Sequence, residues 1–66
     1  MNIILNNTEE QIQDGITIEQ LLCNKKIINK YIAVEINRNI LPKSDYQKYV
    51  IKAGDRIEII TAIGGG

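Results

Sequence analysis

Histidine is missing from this 66-residue chain, and cysteine occurs once, as Cys23. One thiol cannot close an internal disulfide, and without histidine the usual Cys/His sets for zinc cannot be assembled. A nucleophile paired with a histidine base is excluded on the same count. Cys23 has only Lys25 and Lys26 close by in sequence, and it reads as a small apolar residue rather than an activated thiol. Net charge is missing too, with eight Lys plus Arg against eight Asp plus Glu. No stretch gathers enough basic residues to neutralise a run of phosphates, which argues against nucleic acid as a partner. Long apolar runs are absent, and the amino end, Met1 to Asn7, is too short for the apolar part of a signal peptide. No targeting segment and no membrane association are therefore expected, and the single cysteine points to an intracellular chain.

What the chain does have is 44% hydrophobic and 24% charged residues, the balance of a folded domain rather than a disordered segment. Its length allows one domain with one small core. Met1 to Asn6 is apolar and rich in β-branched residues, and Asn6-Asn7 closes it as a turn, which predicts a first strand. Glu10-Gln11-Ile12-Gln13 fits a polar edge strand with one inward isoleucine, ended by the turn signal Asp14-Gly15. Thr17 and Gln20 then form a capping box, and Ile16 and Leu21 can staple across it, so a helix starts at Thr17. Ile18, Leu21 and Leu22 give that helix one buried face, and Asn24-Lys25-Lys26 marks its fading end.

Tyr31 to Asn37 alternates, with Ile32, Val34 and Ile36 on one side, as a half-buried strand requires. Arg38-Asn39 supplies a tight turn into the short strand Ile40-Leu41, which Pro42 ends at an edge because it has no N–H to donate. Lys43 to Tyr49 is too short and polar for an amphipathic helix and reads as an irregular or single-turn helical crossover. Ala53-Gly54-Asp55 is a turn before a final strand, Arg56 to Ile63. There Ile57, Ile59, Thr61 and Ile63 face one way and Arg56, Glu58, Ile60 and Ala62 the other. Lys43, Lys48 and Lys52 read as solvated surface. The order β-β-α-β-β-β predicts an α+β fold, a mixed sheet of about five strands gripping one main helix.

The chain ends in Gly64-Gly65-Gly66 directly after that strand. Glycine has no Cβ, so such a tail is thin and accepts any backbone conformation. Extended, it reaches roughly 10 Å past the sheet, which suits a terminal carboxylate delivered into a narrow site on another protein. Residues 1–63 are thus expected to form the domain and 64–66 a flexible tail.

Asp14 to Leu22, Ala33-Val34-Glu35-Ile36-Asn37, Leu41-Pro42, Tyr46, Gly54 to Ile60 and the glycine end together resemble the sulfur carriers of thiamin biosynthesis, the ThiS family of ubiquitin-like β-grasp proteins. Order, spacing and total length carry the resemblance more than any single run. It implies that the chain is not an enzyme but a protein substrate. An E1-like adenylyltransferase of the ThiF type would couple the Gly66 carboxylate to AMP, using ATP and a divalent metal held by that enzyme and no cofactor of the chain itself. Sulfur from a persulfide donor would replace the adenylate, and the thiocarboxylate would serve a thiazole synthase of the ThiG type. The family needs a terminal Gly-Gly, and the third glycine here makes Gly66 the reactive residue unless it is removed, when Gly65 takes the role. Ile60 and Ala62, with Ala33 and Glu35 beside them on the outer sheet face, are expected to dock partners, as that face does in the carriers the chain resembles. A free monomer in the cytoplasm or an organelle stroma is expected.

Three other functions fit less well. The small subunit of molybdopterin synthase shares the fold and tail but is longer and less similar from Ala33 to Pro42. A ubiquitin-like modifier usually has basic residues before Gly-Gly, where this chain has Thr61-Ala62-Ile63. A β-grasp module of RNA-associated proteins would be basic and would have no use for the tail.

Overall fold

A computed structural model describes residues 1–27 and 31–61. Strands β1 (Asn2–Leu5), β2 (Thr8–Gln11), β3 (Ile32–Ile36), β4 (Asn39–Leu41) and β5 (Arg56–Thr61) form one sheet in the order β2-β1-β5-β3-β4. The sheet is mixed, because β1 and β5 run parallel while the other pairs are antiparallel. The helix α1 (Ile18–Asn24) lies between β2 and β3 in sequence, and a 3-10 turn spans Lys43–Asp45. This is the expected element order and the expected two-layer plan.

One side of the sheet and one side of α1 share the core. Ile3 and Leu5 of β1, Val34 and Ile36 of β3 and Ile57 of β5 bury against Ile18, Leu21 and Leu22, with Ile16, Tyr46 and Ile51 filling the ends. A seven-residue helix is too short to persist by itself. It is held by burial and by satisfaction of its first donors. Ile18 and Glu19 donate to the carbonyls of Tyr49 and Tyr46, at 3.1 and 2.9 Å. Gln20 donates to Thr17 Oγ1 at 3.2 Å, and Thr17 N–H to Gln20 Oε1 at 2.9 Å, closing the expected capping box.

The two hairpins correct the sequence reading in register. β2 runs from Thr8 to Gln11, not from Glu10 to Gln13, because Asn6 and Asn7 both take positive φ (48° and 67°) and the two-residue turn places Thr8 opposite Leu5. Ile12 lies past the strand, though its N–H still donates to Met1 O at 2.9 Å. The second turn is Asn37-Arg38, with φ of 51° and 72°, rather than Arg38-Asn39. Asn39 opens β4 opposite Ile36. Along β5 the inward residues emerge step by step. Ile57 is fully buried, Ile59 partly, and Thr61, expected to face the core, is exposed. Ile63 and Ala62, assigned to this strand from sequence, lie outside the described residues.

Asn6 and Asn37 do more than turn the chain. In the left-handed conformation the backbone carbonyl of the first turn residue no longer points along the ladder, and in both turns the side-chain carbonyl takes its place. Asn6 N–H donates to Ile57 O at 2.9 Å, and Asn6 Oδ1 accepts from Ile59 N–H at 2.8 Å. Asn37 N–H donates to Arg56 O at 2.7 Å, and Asn37 Oδ1 accepts from Arg56 N–H at 2.9 Å. Each asparagine adds one rung to β5, from opposite sides.

Asp55 anchors the start of β5. It is only 6% exposed, and its carboxylate accepts from Lys52 N–H at 2.9 Å, Tyr49 Oη at 2.8 Å and Asn37 Nδ2 at 3.1 Å. Burial pushes its pKa up, but the Lys52 N–H, the Tyr49 hydroxyl, the Asn37 amide and the Lys52 ammonium together hold it below the usual carboxylate value. Tyr49 is pushed up to about 12 by burial and by the hydrogen bond and charge of Asp55.

Neighbouring turn residues should respond oppositely to glycine. Arg38→Gly relieves a positive φ at which the side chain makes no hydrogen bond or ion pair among the described residues, and is expected to stabilise by up to about 1 kcal/mol. Asn37→Gly relieves the same strain but loses two hydrogen bonds, one to a carboxylate, for a net loss of about 1 kcal/mol. Urea unfolding of the two variants checks the opposite signs.

The Asp55 site also sets limits in pH. A carboxylate with a lowered folded pKa adds stability above its unfolded value that is lost as pH falls through the folded one, so Asp55→Asn should destabilise at neutral pH and flatten the acid limb of the stability curve. For Tyr49 the folded value is raised, so its contribution is complete below about 10 and lost between about 10 and 12. Tyr49→Phe should remove that alkaline loss, and chemical denaturation from pH 2 to 12 reads both.

Candidate functional site

The sheet face turned away from α1 is uncovered by any other element of the described chain. Its outward positions follow from the alternation: Glu9 on β2, Ile4 on β1, Arg56, Glu58 and Ile60 on β5, Ala33 and Glu35 on β3, and Ile40 on β4. The register sets them in rows. Ile60 stands directly opposite Ala33, and one step towards the start of β5 the row reads Glu58, Glu35, Ile40.

Three of the four expected docking residues, Ile60, Ala33 and Glu35, are therefore brought together on one face. Ile60 is 50% exposed, Ala33 exposed and Glu35 half-buried. Ala62 lies outside the described residues, as do Gly64, Gly65 and Gly66. Ile40 was not singled out in the sequence, and Glu58, placed on this side of β5 by alternation, was not seen to meet Glu35. Ile40, 73% exposed and the most exposed large apolar residue among the described residues, follows from alternation once Leu41 is taken as inward. Glu58 falls beside Glu35 only through the β3–β5 register.

Charge on this face is one-sided. Glu9, Glu35 and Glu58 are set against Arg56, and the Arg56 guanidinium is committed to Asn7 Oδ1 at 2.6 Å on the β1–β2 turn. The cations of the helix end lie elsewhere. Lys25, for example, pairs with Glu10 on the helix side of β2, above an open groove lined by Ile12, Ile16 and Leu21.

Chemistry of other kinds finds little support on the described surface. Cys23 is exposed on α1, and among the described residues no cluster of His, Cys, Asp and Glu is placed to hold a metal ion. Among the same residues no helix is long and apolar enough to cross a membrane. What remains is a face with an apolar and an acidic part, lying beside the last described residues of the strand that leads into the glycines.

Known proteins share this fold. The crystal structure of the thiamine biosynthesis protein ThiS from Geobacter metallireducens superposes with a TM-score of 0.86 over the whole of both chains, at 26% identity. The sulfur carrier protein ThiS of Bacillus subtilis is 37% identical over 54 residues, 82% of each chain. A thiazole synthase of Paramagnetospirillum magneticum is 36% identical over all 66 residues, although the chain spans only 20% of that protein's length. With a model of the ThiS family matching residues 2–66, glycine end included, the chain belongs to the ThiS family.

Proposed function

We propose that this chain is a sulfur carrier of thiamin biosynthesis, the Gly66 carboxylate being the group that is loaded. The observation that carries the reading is the family match running through residue 66, so that the glycine end is part of the resemblance rather than an appendage to it. The similarity of the whole chain to part of a thiazole synthase supports a working relation with that enzyme. The compartment is the cytoplasm or an organelle stroma.

The chemistry follows from what a carboxylate lacks. Its charge and resonance make it a poor acyl electrophile, so an E1-like partner of the ThiF type first lets a carboxylate oxygen attack the α-phosphorus of ATP. Pyrophosphate leaves and a mixed anhydride with AMP remains. The terminal sulfur of a donor persulfide then attacks the acyl carbon, and AMP leaves. Reduction of the resulting S–S bond by a thiol frees the thiocarboxylate, which a ThiG-type thiazole synthase consumes. The chain contributes presentation alone. Gly64 and Gly65 fit a narrow channel because they have no side chains, while Ile60, Ala33 and Glu35, with Ala62 next along, hold the body against the partner. ATP and its divalent metal belong to that partner.

Incubation with a cognate activating enzyme, ATP, magnesium and a persulfide donor should exchange one terminal oxygen for sulfur. Intact mass shows the exchange, and the C-terminal peptide separates it from oxidation at Met1 or Cys23. Adenylation without any later sulfur at Gly66 would overturn the carrier reading. Deletion of Gly65 and Gly66 should leave the urea midpoint unchanged and abolish transfer.

The docking face makes its own prediction. Ile60→Ser removes half-exposed apolar surface and should change stability by less than about 0.5 kcal/mol. The same change should weaken binding to the activating enzyme about tenfold, roughly 1.4 kcal/mol. Calorimetric titration measures the affinity.

A further inference from the structure

The two sides of β5 are held differently at its leaving end. Ile57 and Ile59 turn their backbone groups towards β1, and alternation turns those of Glu58 and Ile60 towards β3. On the β3 side pairing runs on to Ile60 and Thr61, opposite Ala33 and Ile32. On the β1 side it stops at Ile57, opposite Leu5, where the chain turns away through Asn6 and Asn7. Past that point one hydrogen bond reaches β5 from this side among the described residues, from Ile59 N–H to Asn6 Oδ1 at 2.8 Å. Two further bonds seat the turn itself on the earlier part of the strand. Asn6 N–H donates to Ile57 O at 2.9 Å, and Arg56 Nη2 donates to Asn7 Oδ1 at 2.6 Å. A turn so fixed sets the Asn6 side chain as a stop beside the last three residues of β5.

We propose that Asn6 is a positioning residue of the carrier, its side chain clamping the leaving end of β5 so that Ile60 is set on the outer face for the activating enzyme. This rests on the sulfur-carrier reading and adds to it a residue that acts through Ile59. The end of a strand opens more readily than its middle, the more so where one flank is bare. Without the Asn6 bond the stretch from Ile59 to Thr61 would hang from β3 alone, and its cover is thin, Ile60 being half exposed and Thr61 exposed. Only the closed end presents Ile60 to a partner, so an open fraction lowers the apparent affinity in proportion. Asn37 provides the contrast. Its Oδ1 accepts from Arg56 N–H at the start of β5, and its amide donates to the buried Asp55. Asn37 therefore serves the whole fold, and Asn6 serves the end of one strand. The choice of asparagine fits this role, because glycine would take the φ of 48° more easily but would leave Ile59 N–H without its acceptor.

The experiment compares Asn6→Gly, Asn6→Asp and Asn37→Gly with wild type by urea unfolding, by amide hydrogen exchange, and by the kcat and KM of a cognate activating enzyme for the carrier, followed as pyrophosphate release. Asn6→Gly is expected to keep a urea midpoint above that of Asn37→Gly. It should speed exchange at Ile59 but not at Ile4, whose N–H donates to Asp55 O at the start of β5. It should also raise KM by up to about fivefold, the worth of one hydrogen bond, with kcat unchanged. Asn6→Asp keeps the acceptor and tolerates the positive φ, and should restore both exchange and KM. Asn37→Gly should leave KM at the wild-type value although it is the less stable variant. A wild-type KM for Asn6→Gly, or a raised one that Asn6→Asp does not restore, would overturn the clamp. So would an equal rise in KM for Asn37→Gly, which traces the effect to stability, or a midpoint for Asn6→Gly below that of Asn37→Gly, which makes Asn6 a support of the whole fold. A wild-type chain never loaded at Gly66 would overturn the carrier reading and this inference with it, whereas a loaded wild type separates the two.

Discussion

A strand in the middle of a small sheet must find partners for both rows of its backbone groups, and in this chain β5 carries that demand. It is the last strand and lies between a parallel neighbour, β1, and an antiparallel one, β3. Neither neighbour supplies every rung, because each ends in a two-residue turn beside β5. The asparagine opening each turn fills the gap with its own side-chain amide, Asn6 at Ile59 and Asn37 at Arg56. Unpaired groups at those points would be costly in a sheet this narrow. The left-handed turn residue and the added rung are thus one device, which explains why asparagine stands at both positions although glycine tolerates the φ better.

Asp55 ties that device to the rest of the molecule. Its carboxylate collects the Asn37 amide, the Tyr49 hydroxyl and the Lys52 N–H, so that one buried charge joins the β3–β4 turn, the segment before β5 and β5 itself. Tyr49 in turn offers its carbonyl to the first N–H of α1. A path of hydrogen bonds therefore runs from the helix start through Tyr49 and Asp55 to the central strand. Such buried networks stabilise only when every member is satisfied, and among the described residues no buried side-chain polar atom lacks a partner.

Local signals were the legible ones. Thr17 and Gln20 stand three apart and form their cap whatever the rest of the chain does, and Ile32, Val34 and Ile36 alternate within one strand. The slips came where local signals compete. Both Asn37-Arg38 and Arg38-Asn39 contain an asparagine, and only the pairing of Ile36 with Asn39 decides between them. Glu10 to Gln13 held an isoleucine that looked inward, but the tight turn at Asn6-Asn7 had already set the register two residues earlier. The rungs made by Asn6 and Asn37, and the meeting of Glu35 with Glu58, depend on residues 19 to 53 positions apart and have no trace in any window of sequence. For the candidate site, alternation gave the outward residues of each strand, and register alone grouped them.

The distribution of constraint along β5 bears on what the strand is for. At its start, Asp55 and Arg56 are held by Asn37, Tyr49 and Lys52, and Ile57 is wholly buried. Towards its end the cover thins, through Ile59 to Thr61 on the core side, while Ile60 on the other side is half exposed. Stability is thus concentrated where the strand enters the sheet and spared where it leaves. Under the proposed function this order is useful, since a fixed stem would limit the conformational entropy lost on docking and an apolar outer face on β5 would make contact before the end is threaded. The reverse arrangement, a tight end and a loose start, would bury the group to be delivered. At this end only β3 still pairs with β5, through Ala33 and Ile32, since β1 reaches no further than Ile57.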